Sequence, residues 1–300
     1  MEANAAVSAP ARDERPAAVA AAGLGTGELV AVWLLFAVQA TATLLTYSRL
    51  PPSAVYNVDE SGDLLAGLGR TLTLLNYPLS LGAIALVALA GGPRLLVWGA
   101  IALCSLTAVP GVVDQGDLDG RPVNVLPALG VAIAVALTIR AARSRGLAFA
   151  PGAHGDGLRL AIALVLLVAA LPWAAAEAGF YFPGDVFMGE EVPPVRDEGV
   201  AAVHRGFHHG TGGVLLALAA LALSRVPTAS RGIRAYLSLM LAYGVANASQ
   251  DSWNEQLWKR GWVDVHVPSM IRPSLTAGWL VLLLGAGAVY AWWFHPDPEP

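Results

Sequence analysis

TLTLLNYPLSLGAIALVALA (71–90) and RLLVWGAIALCSLTAVPGVV (94–113) follow one another with only Gly91, Gly92 and Pro93 between them. A bilayer core takes about 20 residues of helix to cross. Each run has that length and is almost free of charge. Lipid offers a backbone no hydrogen bonds, so a run of this kind must satisfy its own N–H and C=O groups by forming a helix. These two segments read as successive transmembrane helices, and that reading decides the class of the fold.

The rest of the chain repeats the pattern. Similar runs occupy 27–47, 122–143, 158–180, 200–225, 235–253 and 273–294. The total is eight helices, or seven if the first is a cleaved signal. AVQA (37–40) has the small residues of a cleavage site. Against cleavage, the apolar run continues to Tyr47, and Glu28 stands where a signal peptide carries arginine. Pro78, Pro110, Pro127 and Pro172 are expected to kink their helices. The 48–70 connection is long enough for a short interfacial helix.

Composition agrees. Hydrophobic residues make up 56% of the chain and charged residues 13%, about half the ~25% charge of soluble domains. Mean hydropathy is +0.58. There is too little polar surface to cover a globule of 300 residues. The expectation is an all-α, polytopic bundle over 27–295, after a disordered tail at 1–26 and before a short tail at 296–300. The net charge is −4 and no basic run stands out, so nucleic acid is excluded as a partner. The bilayer is the expected partner, and protein partners stay open. A single cysteine, Cys104, allows no internal disulfide. Lys259 is the only lysine beside many arginines. With the abundant alanine and glycine, that bias suggests a GC-rich bacterial genome.

Two short loops, 140–146 and 224–234, are rich in arginine and nearly free of acids. With eight helices both fall on the side of the two termini, and the positive-inside rule makes that side cytoplasmic. The expected location is the inner membrane of a bacterium.

On this topology the polar residues gather at the extracytoplasmic end. Asp114 ends the third helix, Glu177 the fifth, and Asn247, Asp251, Asn254 and Glu255 the seventh. Asn76 and Tyr77 open the second. VHRGFHHGTGGVLLALAALALSR (203–225) opens the sixth with His204, Arg205, His208 and His209. Ionisable groups at membrane depth are costly and usually face an interior or a water-filled cavity. Read as helix, His204 and His208 share one face and could hold one divalent ion such as zinc, with Glu177 or Asp251 as further ligands. Glu177, Asp251 and Glu255 are the candidate catalytic carboxyls. Asp114, Arg205, His209, Asn247 and Asn254 complete a candidate polar cavity. Asn247, Asp251 and Glu255 recur every fourth residue, along one face of an extended helix.

Two motifs come near and fail. HRGFH has the spacing of the zincin HExxH, but Arg205 replaces the general-base glutamate. HRGFHH resembles one histidine box of the membrane di-iron desaturases, which need several such boxes on the cytoplasmic side. Three functions remain open. The first is an intramembrane enzyme with a His/carboxylate site, with or without a bound metal, acting on a lipid or amphiphile. The others are a proton- or metal-coupled transporter and a non-catalytic partner-binding or sensory subunit.

Overall fold

The computed structural model describes residues 24–50, 64–109, 112, 121–145, 148–149, 152–180, 206–226 and 229–294. Among them the chain forms eight α-helices and no strand. They are α1 (Thr26–Arg49), α2 (Leu64–Ala90), α3 (Arg94–Ser105), α4 (Val125–Arg145), α5 (Asp156–Ala178), α6 (His209–Leu223), α7 (Arg231–Trp253) and α8 (Ala277–Val289). Five spans, on α1, α2, α4, α5 and α8, are long and apolar enough to cross a membrane, and α3 and α6 are shorter apolar helices. The all-α bundle expected from the apolar runs is the observed architecture.

The helices sort by burial. Of the most apolar window of α2, 61% is buried inside the bundle, against 17% for α5 and α8. So α2 lies inside, with α5 and α8 at the edge. Leu160, Val165 and Val168 on α5 and Val281 and Leu284 on α8 point outward, as lipid-facing residues do. α6 is apolar on all sides and buried on nearly all of them, as such a helix must be.

Packing between apolar helices in lipid depends on close approach at small residues. α6 and α7 show this. A Cβ placed on Gly213 would lie 2.5 Å from the Gly244 carbonyl oxygen, and one on Gly244 would lie 2.5 Å from the Gly213 carbonyl oxygen. The two backbones touch there. Trp33 Nε1 donates to Thr138 Oγ1 at 2.9 Å, and the Tyr236 hydroxyl donates to the Leu81 carbonyl at 2.8 Å. Interhelical bonds of this kind contribute only about 0.6 kcal/mol each, so they fix register more than they hold the bundle.

The end where α1 and α5 begin and α6 finishes is closed by an ion network. Glu28 is 3% exposed and pairs with Arg225. Arg225 also reaches Asp156 Oδ2 at 3.1 Å. Arg159 donates to Ser224 Oγ at 2.8 Å and lies 4.9 Å from the centre of the Trp293 ring. Removing one member of a buried pair costs about 3–5 kcal/mol, whereas replacing both by apolar groups is often neutral. Arg225→Met should therefore lower the thermal midpoint in detergent strongly, and adding Glu28→Leu should recover most of the loss. A loss that merely doubles would show that the two do not act as a pair.

Several boundaries differ from the apolar runs. α3 stops at Ser105 with one 3₁₀ turn to Ala108. Val109 is extended, as a residue before proline prefers. Pro110 and Asp114 lie outside the described residues. Pro78 and Pro172 stand within α2 and α5, and Pro127 stands in the first turn of α4. The expected interfacial helix falls mainly on 51–63, outside the described residues. Of the expected tails 1–26 and 296–300, residues 1–23 and 296–300 lie outside them too, while Leu24 is buried and α1 already begins at Thr26.

The largest difference concerns α6, which begins at His209 and not near 200. Gly206 has φ +116°, and His208 is extended, at φ −103° and ψ 141°. A Cβ on Gly206 would also meet the Tyr47 hydroxyl at 2.7 Å. His208 is thus the residue before the helix, and helical spacing from His204 does not govern where it points.

Candidate functional site

The last turn of α5 places Trp173 and Glu177 four residues apart, so both face the same way. Both are buried, at 1% and 5% exposure. Gly206–His208 enters beside them in extended form, anchored where the Phe207 N–H donates to the Tyr47 hydroxyl at 3.1 Å. His208 is 3% exposed, and its ring stacks on Trp173 with centroids 6.1 Å apart. On the other side, α7 continues outward as a π turn over Asn254–Trp258. That continuation keeps Asn247, Asp251 and Glu255 buried together.

Asp251 is the junction. Its Oδ2 accepts from the Gly210 N–H at 2.9 Å and lies 3.7 Å from His208 Nδ1. The first contact satisfies a free N–H in the first turn of α6, where the helix dipole favours an anion. The second sets a carboxylate against an imidazole. Glu255 lies within electrostatic range of both, and its Oε1 accepts from Lys259 Nζ at 2.9 Å.

Glu177 approaches from the opposite side. Its carboxyl faces Thr43 and Gln39 of α1 and feels the charges of His208 and Arg49. Its Oε1 accepts no hydrogen bond from a described group. The Glu177 carbonyl is held by the Thr46 hydroxyl at 3.0 Å. His208 is therefore the common neighbour of Glu177, Asp251 and Glu255. Histidine changes charge near neutral pH, and a carboxylate at one ring nitrogen fixes the ring's orientation and tautomer. The arrangement can take up and release a proton.

The other expected residues turn to other partners, although His209 still feels the charges of Asp251 and His208. Asn247 donates to the Tyr243 carbonyl at 2.9 Å, and His209 turns its ring edge-on to Phe207. Asn254 commits both ends of its amide to Val267, at 2.8 Å and 3.2 Å. With Trp253, which donates to the Val265 carbonyl at 2.7 Å, it straps the segment before α8 across this end of the bundle. His204 and Arg205 lie outside the described residues. Among the described residues no three His, Cys, Asp or Glu side chains group as metal ligands do.

Sequence reasoning missed the share of α1. Gln39, Thr43 and Thr46 are buried and spaced four and three apart on an otherwise apolar helix. That polar stripe was the available signal. It also missed Thr73 and Asn124, where Asn124 Nδ2 donates to Thr73 Oγ1 at 2.7 Å and Asn76 Nδ2 donates to the Asn124 carbonyl at 2.8 Å. No family model, curated protein or solved structure matches this chain.

Proposed function

We propose that this chain, one helical unit over 27–295, is a multi-pass enzyme of the bacterial inner membrane. Its extracytoplasmic end carries an acid–base site that acts on a lipid or other amphiphile. The observation that carries the reading is the setting of His208, buried between Trp173 and Asp251 with the carboxyls of Glu177 and Glu255 in range. Four ionisable groups at this depth are costly, and a bundle made only to be stable gains little from them. In this reading His208 exchanges the proton, Asp251 orients its ring, and Glu177 and Glu255 are the second carboxyls. The arginines of 140–146 and 224–234 support a cytoplasmic assignment for the opposite end.

A divalent ion such as zinc enters this reading if His204 completes a ligand set with His208 and a carboxylate. Metal analysis of the purified protein tests that part. A proton-coupled carrier has less support. The α6 stretch from Val214 to Leu223 is apolar, and ion pairs close the far end.

The test uses the full chain in liposomes of the host's lipid extract, followed by mass spectrometry. Wild type should convert at least one lipid species, and Asp251→Asn and His208→Gln should each slow that conversion by 10²-fold or more, the scale of general acid–base catalysis. Lipid profiles that are identical with and without the protein, or equal turnover by folded Asp251→Asn, would overturn the proposal.

A further inference from the structure

A narrow crevice lies between α2, α6 and α7. Tyr77, Phe207, His209, Tyr243, Asn247 and Ile271 line it, and about 10 Å³ is open to the centre of a water molecule, room for one. The roof is the strap before α8. Tyr77 and Tyr243 both give their protons to the Ile271 carbonyl, at 3.2 Å and 2.9 Å, so neither hydroxyl proton is left for the crevice. Asn247 is 2% exposed. Its Nδ2 is bound to the Tyr243 carbonyl, and its Oδ1 accepts no hydrogen bond from a described group. The His209 ring packs on Phe207 and makes no hydrogen bond to a described residue. A buried amide oxygen without a donor is costly. The site is therefore one strong acceptor beside one imidazole, in an aromatic wall, at the scale of a single oxygen atom.

We infer that this crevice is a hydroxyl-binding site. One O–H donates to Asn247 Oδ1, and its oxygen pairs with the His209 ring. A carboxylate or phosphate does not fit, because the Asn247 oxygen repels an anion and no cationic side chain lines the space. A water and the alcohol end of an amphiphile share the chemistry that does fit. Neither His208 nor Asp251 lines the crevice, so Asp251→Asn, which slows turnover in the reading above, should leave it filled.

High-resolution electron microscopy of the full chain in nanodiscs tests this. Density should stand about 2.6–3.2 Å from Asn247 Oδ1, the range of hydrogen bonds. An isolated round feature identifies water. Density that runs on into a chain identifies an alcohol-bearing lipid, and both support the site. Asn247→Leu removes the acceptor and should empty it. An empty crevice in wild type, an Asn247 Oδ1 bonded to a protein group, or unchanged density in Asn247→Leu would each overturn the inference. If Asn247→Leu fails to fold, the wild-type map alone decides.

Discussion

Asp251→Ala should destabilise the bundle by about 2–6 kcal/mol, because two buried groups lose their acceptor at about 1–3 kcal/mol each. Two groups lose Asp251 at once. The Gly210 N–H in the first turn of α6 is left without its acceptor, and His208 Nδ1 without the carboxylate 3.7 Å away. Neither can turn to water, because His208 and Gly210 are buried. Asp251→Asn separates the two contributions. Its amide oxygen still accepts from Gly210, so it should cost about 0.5–1.5 kcal/mol less than alanine, on the scale of one net neutral hydrogen bond. Thermal and denaturant unfolding in one detergent measures both. A cost near zero for Asp251→Ala would mean that this end is open to water.

Gly244→Val should be at least as damaging. The atoms a side chain would strike are backbone, not the end of a flexible side chain. A Cβ at Gly244 meets the Gly213 carbonyl oxygen at 2.5 Å and the Ala217 nitrogen at 2.8 Å. The helices must separate, and inserting even small groups into tight packing costs about 1–3 kcal/mol. Valine adds two more methyl groups. This crossing lies two turns from Asp251 on α7 and one turn from Gly210 on α6. A shift there carries Asp251 away from Gly210 and His208. Gly244→Ala should therefore lower both the unfolding midpoint and the turnover, while Gly232→Ala, with open space around its Cβ position, should leave both unchanged.

The helices were legible because apolar length is a direct physical requirement of the bilayer. Where polar segments meet helices, that signal stops. The 200–225 run reads as one helix by composition, yet Gly206, at φ +116°, breaks it, and the helix waits until His209. The 273–294 run starts four residues before α8, because Ile271 and the residues beside it belong to the strap. The carboxyls of the site were legible as helix-end acids on the fifth and seventh helices. The share of α1 was visible only as Gln39, Thr43 and Thr46 on one stripe. Glu28 and Arg225 are 197 residues apart, and no local spacing can announce such a pair. His204, Arg205 and Asp114 lie outside the described residues.

His208 and Asp251 form one buried pair, and solid-state NMR of nitrogen-labelled histidine with carboxyl-labelled aspartate in bilayers can detect it. The His208 Nδ1 to Asp251 Oδ2 separation of 3.7 Å predicts a through-space contact between the ring nitrogen and the Asp251 carboxyl carbon. It also predicts a His208 resonance that moves in Asp251→Asn while that of His266 stays in place. No contact, together with a His208 resonance indifferent to Asp251→Asn, would mean that the two side chains do not pair.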